Sequence, residues 1–125
     1  VTLCAMSMDE RIRAGVLSGA VNFPEGPDYG YGLSYADVLW AIAPRPLLEV
    51  AGTEDCPPWE RDAWLSKPVD ERMRPRRDAH AAARALYKEL GAEDGLSLYE
   101  FDGEHTFPDP ARKAAYAWLK RWLSS

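Results

Sequence analysis

The sequence predicts a three-layer αβα fold, in which about three parallel strands lie between flanking helices. Strand-like and helix-like segments alternate along the chain, and 125 residues suit a single domain. One strand-like run, "PLLEVAG", is apolar except for a single Glu, which is typical of strands covered on both faces. These observations favour βαβ units with right-handed crossovers.

Each element follows from its local pattern of apolar, turn and capping residues. The first half of the chain predicts the end of a helix over 1–8, a strand over 12–17 that stops at Ser18 and Gly19, and a loop over 22–32 with interleaved aromatics. A short helix capped by Ser34 and ended by Pro44 follows, and then a strand over 46–52. The second half predicts a long polar segment over 53–75, a helix over 76–90 closed by Gly91, a strand over 96–101 and a final amphipathic helix over 108–123.

The composition excludes several classes of function. A net charge of −5 argues against binding to nucleic acid or to an anionic membrane. The local basic run "ERMRPRR" is flanked by acids, so we expect a solvated surface segment there. No stretch approaches the ~20 apolar residues of a membrane helix. Cys4 and Cys56 lie far apart without a CxxC pattern, which argues against a zinc site. The sequence implies no other metal and no cofactor.

The beginning of the chain resembles the interior of a helix. "VTLCAMSM" has neither an N-cap residue nor an initiator Met, which predicts a chain cut from a longer one. Whether a targeting signal lies upstream therefore stays an open question. Two separated cysteines without a required disulfide favour the cytoplasm.

Two ionisable residues follow predicted strands at positions where parallel sheets collect their chemistry. Asp55 follows "LLEVAG", and His105 follows "LSLYEFDG". If the two strands are neighbours, their exit loops are neighbours too, and the two side chains can meet although 50 residues separate them. A carboxylate on one imidazole nitrogen would leave the other nitrogen to accept a proton from a nucleophile.

Other acids compete for the same histidine. Glu54, Asp102 and Glu104 all lie beside the two predicted loop positions. An isolated Asp and an isolated His on separate loops are more often ordinary surface residues than a coupled pair, and the second histidine, His80, suits a helix surface or the edge of the core.

Three segments resemble α/β-hydrolases of the dienelactone hydrolase and acetyl xylan esterase type. "IAPRPLLEVAGTEDCPP" resembles the seventh strand with its flanks, "DGEHTFPDPARKAAYAWLKRWL" resembles the histidine loop and last helix, and "LCAMSMDERIRAGVLSGAV" resembles the helix after the nucleophile and the sixth strand. The resemblance implies that Asp55 is the acid and His105 the base of a Ser-Asp-His triad. Glu104 stands where that family often has Gly.

The nucleophile elbow of this family, G-x-S-x-G, does not occur in the sequence. The resemblance implies that it lies upstream of Val1, so residues 1–125 would be the C-terminal portion of a single α/β-hydrolase domain whose nucleophile half is absent. Ser18 and Cys56 are the alternative nucleophiles, but Ser18 precedes a loop rather than a helix, and nothing in the sequence around Cys56 indicates a lowered thiol pKa.

The leading hypothesis is therefore part of a carboxylic ester hydrolase, inactive without its other half, that acts on a small-molecule ester in the complete protein. A prolyl-oligopeptidase-like peptidase is one alternative. A stand-alone, non-catalytic α/β module is the other, binding through aromatic residues Phe23, Tyr29, Tyr31 and Tyr35. The unpaired apolar strand Ile12–Gly19 further predicts self-association.

Overall fold

The computed structural model describes residues 2–19 and 35–124. Its sheet consists of β1 (Gly15–Ser18), β2 (Leu47–Gly52) and β3 (Leu96–Phe101), all parallel and in the order β1-β2-β3. Because the order in space follows the order in sequence, each crossover leads to the adjacent strand. The exit loops of all three strands consequently leave the same edge of the sheet.

Helices cover both faces of this sheet, which confirms the predicted three-layer αβα class. The helices are α1 (Thr2–Met8), α2 (Tyr35–Ile42), α3 (Arg61–Leu65), α4 (Val69–Glu89) and α5 (Asp109–Leu123), with short 3₁₀ turns at Pro58–Glu60 and Glu93–Gly95. The predicted aromatic loop over 22–32 and the capping residue Ser34 lie outside the described residues. No described helix has both the length and the apolar character of a membrane span.

Strand β2 separates two hydrophobic cores. Leu47 packs with the apolar faces of α1, α2 and α4, whereas Leu48 and Val50 pack with α5. Every residue of β2 is buried, as its apolar run predicts for a central strand. On the first face, the fully buried Tyr87 of α4 donates a 2.7 Å hydrogen bond to the backbone oxygen of Arg45, and burial raises the pKa of Tyr87 to about 12.

The first strand is shorter than predicted. We expected strand geometry from Ile12, but β1 begins at Gly15. The Arg45 guanidinium accounts for the difference, since it donates hydrogen bonds to the backbone oxygens of Asp9 and Ile12 at 3.0 and 3.2 Å. This side chain satisfies backbone groups before the strand starts, and Ile12 itself packs against the core.

The long helix begins earlier than predicted. The sequence predicts a helix over 76–90, yet α4 runs from Val69 with Pro75 inside it. Pro68 provides the extended N-terminal residue, and its oxygen accepts the backbone N–H of Arg72 at 3.0 Å. Met73 is fully buried, and its burial helps to offset the roughly 3 kcal/mol that an interior proline costs.

The same helix corrects the prediction that "ERMRPRR" is a solvated segment. Arg72 and Arg76 are buried with only 8% of their surface exposed, and they lie on the side of α4 that faces the sheet. Arg74 is exposed on the outer side, and Arg77 is half-buried at the flank of the helix, where it forms a two-pronged ion pair with Glu100 of β3 at 2.9 and 2.7 Å. The basic run is therefore amphipathic at helical spacing.

Strand β1 leaves one edge without a partner strand in the described part of the chain. The backbone N–H groups of Gly15 and Gly19 bond to Pro46 and Val50 on the β2 side, so the N–H groups of Val16 and Ser18 point to the outer edge. We expect the isolated chain to associate through this edge. Ser18→Pro removes an outward donor while keeping the bonds to β2, and should weaken association in sedimentation equilibrium.

The control is Ser18→Ala, which keeps the backbone donor and should associate like the unmodified chain. A chain that stays monomeric at high concentration, or a Ser18→Pro variant that associates as strongly as Ser18→Ala, would contradict pairing through β1.

Candidate functional site

The candidate site lies where the exit loops of the three strands meet. Gly19 follows β1, Asp55 follows β2 and His105 follows β3. A Cβ atom placed on Gly19 would stand 2.2 Å from Cε1 of His105 and 3.3 Å from Oδ2 of Asp55. Gly19 also has a left-handed φ of +64°. Glycine at this position therefore permits both the turn and the close approach of the imidazole ring.

Backbone hydrogen bonds attach the histidine loop to the end of β2. Beyond the strands themselves, the N–H of Thr53 donates to the oxygen of Phe101 and the N–H of Glu54 donates to the oxygen of Gly103, both at 2.9 Å. Gly52 lies so close to this loop that a Cβ atom there would come within 2.5 Å of the Gly103 oxygen. The loops that carry Asp55 and His105 are thus joined through their main chains.

The side chains of Asp55 and His105 lie within hydrogen-bond distance. Nδ1 of His105 is 3.0 Å from Oδ2 and 3.1 Å from Oδ1 of Asp55. A carboxylate accepts hydrogen bonds, so this contact calls for a proton on Nδ1 and leaves the lone pair on Nε2. The Asp55 side chain is 8% exposed, whereas that of His105 is 70% exposed. The pair thus combines a buried acceptor with an accessible imidazole.

The three competing acids are engaged elsewhere. Arg61 lies 2.6 Å from Glu104 and 3.5 Å from Glu54, measured from its Nη2 to the carboxylate oxygens. Asp102 accepts a 3.3 Å hydrogen bond from the hydroxyl of Thr53. Sequence reasoning therefore selected the acid that contacts the histidine, while the catalytic role of Asp55 and His105 stays a prediction.

An open cleft of about 620 Å³ adjoins the pair. Pro57, Pro58 and Trp59 of the segment after Asp55 form its apolar wall, and His105 lies on its polar side. Trp59 is 82% exposed on the cleft. Trp64 differs, since its Nε1 lies 3.4 Å from the oxygen of Thr53. The segment is thus a wall of the cleft.

A buried charged layer lies on the α4 side of β2. Glu49 of β2 is 2% exposed, and Nδ1 of the buried His80 is 3.7 Å from its carboxylate. Burial lowers the pKa of Arg76, and the negative charges of Glu49, Asp55 and Glu100 oppose that shift. Sequence reasoning did not connect these residues, although the single Glu within an apolar strand signalled that a cationic partner was needed.

Neither alternative nucleophile has the features of an activated one. Burial raises the pKa of the Cys56 thiol, and the nearby charge of Arg61 only partly opposes this. Ser18 is an exposed residue at the end of β1, the strand that leads into a turn at Gly19 rather than into a helix. Both cysteines are free thiols. The described residues also contain no group of three or more His, Cys, Asp and Glu side chains that could hold a metal ion.

Comparisons with known proteins support the fold. No protein-family model matches the chain, and no curated protein matches it. Among solved structures, the chain is similar to Methylesterase BT1017, with a TM-score of 0.66 and 18% sequence identity. The similarity covers 98% of this chain and 27% of the methylesterase. At this identity the likeness establishes a shared α/β fold, and the chain spans about a quarter of the length of the protein it resembles.

Replacing Gly19 by Ala should separate His105 from Asp55. The new methyl group would occupy the position of the imidazole ring, and the left-handed backbone should cost about 1–2 kcal/mol in the free energy of unfolding. Gly91→Ala is the matched control, because Gly91 has a similar φ of +72° and open space around it. We expect both variants to lose stability in denaturant unfolding, but only Gly19→Ala to lose the Nδ1–H signal of His105 in NMR spectra. If the Nδ1–H signal of His105 is the same in the two variants, the close contact between Gly19 and the imidazole ring is absent.

The raised pKa of Cys56 predicts a slow thiol. Because burial disfavours the thiolate, little of it forms at neutral pH, and the rate of alkylation should rise only as the pH approaches the raised pKa. Iodoacetamide labelling followed by mass spectrometry of peptides should show the exposed Cys4 modified before Cys56 at pH 7. Preferential labelling of Cys56 would instead indicate an activated nucleophile.

Proposed function

We propose that this chain is the acid–base portion of a serine hydrolase that cleaves carboxylic esters. The observation that carries the proposal is the contact between a buried carboxylate and an exposed imidazole, Asp55 to His105 at 3.0 Å, at the carboxyl edge of a parallel sheet. This is the arrangement that the acid and base of a Ser-His-Asp triad require. The order of acid before histidine along the chain is also that of α/β-hydrolases.

The roles of the two residues follow from their protons. Asp55 accepts the Nδ1–H of His105, which holds the ring in one tautomer and stabilises the imidazolium when it forms. Nε2 then removes the proton from a serine hydroxyl as the serine attacks the ester carbonyl. The same nitrogen returns that proton to the departing alcohol, and an acyl-enzyme remains. Water activated by Nε2 finally releases the acid and restores the serine.

The serine itself belongs, in this proposal, to a segment that precedes Val1. The G-x-S-x-G elbow is missing from the sequence, and neither Ser18 nor Cys56 has an activating environment. The edge of β1 that lacks a described partner is where the upstream part of the sheet would add its next strand. Residues 1–125 would then be the C-terminal portion of one α/β-hydrolase domain.

Ester hydrolysis is favoured over other acyl transfers by the structural likeness to a methylesterase. The cleft beside His105 agrees with a small substrate, since it offers an apolar wall next to the base. The further similarity of the "IAPRPLLEVAG" and "DGEHTF" segments to the dienelactone hydrolase and acetyl xylan esterase type remains part of this proposal.

The test begins with the coding DNA on the 5′ side of the Val1 codon. The proposal requires an open reading frame that continues into a G-x-S-x-G sequence, and the protein encoded by that whole frame should hydrolyse p-nitrophenyl acetate. His105→Ala in that protein should lower kcat by about 10³-fold or more, because triad members act together. Glu93→Gln, a surface change in the 3₁₀ turn before β3, is the control and should leave kcat unchanged.

The isolated chain should hydrolyse the same ester no faster than an exposed imidazole does. A start codon at this point with no upstream elbow would overturn the proposal, and so would an intact protein whose activity survives His105→Ala.

A further inference from the structure

Arg61 bridges the two loops that carry Asp55 and His105. It is the first residue of α3, and its guanidinium reaches Glu54, which precedes Asp55, and Glu104, which precedes His105. The closer contact is with Glu104, where Nη2 lies 2.6 Å from Oε1. One cation thus pairs with the carboxylate neighbours of both members of the proposed dyad.

We propose that Arg61 is a positioning residue for His105, which acts by holding Glu54 and Glu104 away from the imidazole so that Asp55 is the carboxylate bound to Nδ1. The proposal rests on the function proposed above, because it assigns Arg61 to the same site. It also gives a physical role to the Glu that precedes His105, a position where a free carboxylate would disturb the base.

The need for such a residue follows from exposure and charge. The side chains of Glu54 and Glu104 are 40% and 59% exposed, so each could rotate freely if Arg61 did not bind it. The imidazole beside them is 70% exposed and offers two ring nitrogens. A carboxylate that accepts the proton of Nε2 would favour the opposite tautomer, in which the lone pair is turned toward Asp55.

The surrounding contacts keep Arg61 in place. The 3₁₀ turn at Pro58–Glu60 leads directly into α3. The backbone N–H of Arg61 closes this turn by donating a hydrogen bond to the oxygen of Pro58, the first residue of the turn. Trp64, one turn further along, points its indole nitrogen toward the oxygen of Thr53 at 3.4 Å. The helix is therefore attached to the same exit loop that carries Asp55.

Removal of Arg61 should leave the fold intact, because exposed ion pairs contribute little to stability. Its side chain is 38% exposed, and it is not a member of either described hydrophobic cluster. The effect of Arg61→Ala should thus appear at His105 rather than in the unfolding transition, which separates positioning from a general structural role.

The experiment measures the tautomer of His105 in the ¹⁵N-labelled chain. Long-range ¹H–¹⁵N spectra at a pH where the ring is neutral distinguish protonated Nδ1 from protonated Nε2, and His80→Gln assigns the signals because the chain has two histidines. We expect the unmodified chain to hold the proton on Nδ1. In Arg61→Ala the ratio of the two tautomers should shift toward Nε2–H by about threefold, the scale of an exposed ion pair.

Three further variants isolate the cause. Arg61→Ala combined with Glu104→Gln should restore the original ratio, since the carboxylate that Arg61 restrains is then gone. Arg61→Lys should restore it in part, because lysine keeps the charge without the planar fork. Arg84→Ala is the matched control: it removes an exposed ion pair between Arg84 of α4 and Glu93, and it should leave the tautomer ratio of His105 unchanged.

The outcomes separate this inference from the proposed function. The role of Arg61 is overturned if the tautomer ratio is unchanged in Arg61→Ala, or if adding Glu104→Gln does not restore it. The proposed function survives that result provided that Asp55→Asn changes the His105 signals. If Asp55→Asn also leaves those signals unchanged, the Asp55–His105 pair is absent, and both the positioning role and the proposed function are overturned.

Discussion

The structure depends on the placement of β2 between two parallel partners and two helical layers. Its pairing with β3 brings Gly52 opposite Phe101, and the backbone bonds of Thr53 and Glu54 extend that pairing into the exit loops. Because the register continues past the strand ends, Asp55 and His105 arrive side by side. A one-residue slip would turn the side chains of β2 to the opposite layers and separate the two loops.

The site is thus assembled by backbone geometry before any side chain contributes. Gly52 lets the main chain of the histidine loop cross the end of β2, and Gly19 leaves room for the imidazole at the end of β1. The Asp55–His105 hydrogen bond is formed across loops that are already joined. It can therefore orient the imidazole without having to close a long loop itself, which would cost considerably more conformational entropy.

The sequence predicted the parts of this arrangement that depend on order and local pattern. Alternating elements and the apolar run of β2 predicted the sheet, and parallel strands imply that residues such as Asp55 and His105 share an edge. Contacts between side chains of different elements could not be predicted in the same way. The Arg45 guanidinium bonds to backbone groups before β1, and the burial of Met73 helps α4 to continue through Pro75. Arg61 was missed because its partners lie 7 residues before it and 43 residues after it, with no local spacing to connect them.

The buried charges beneath the sheet explain why the polar segment after Asp55 does not behave as a simple surface insert. Glu49 and Asp55 are buried acids near the α4 layer, and Arg72 and Arg76 bring buried positive charge to that same layer. Desolvation makes each of these charges costly alone. Burial lowers the pKa of Arg76, and the negative charges of Glu49 and Asp55 oppose that shift. Through Arg76, the helix α4 therefore has an attractive charge interaction with the acid of β2 and with Asp55 of its exit loop. This coupling links the stability of α4 to the strand end on which Asp55 is presented to His105.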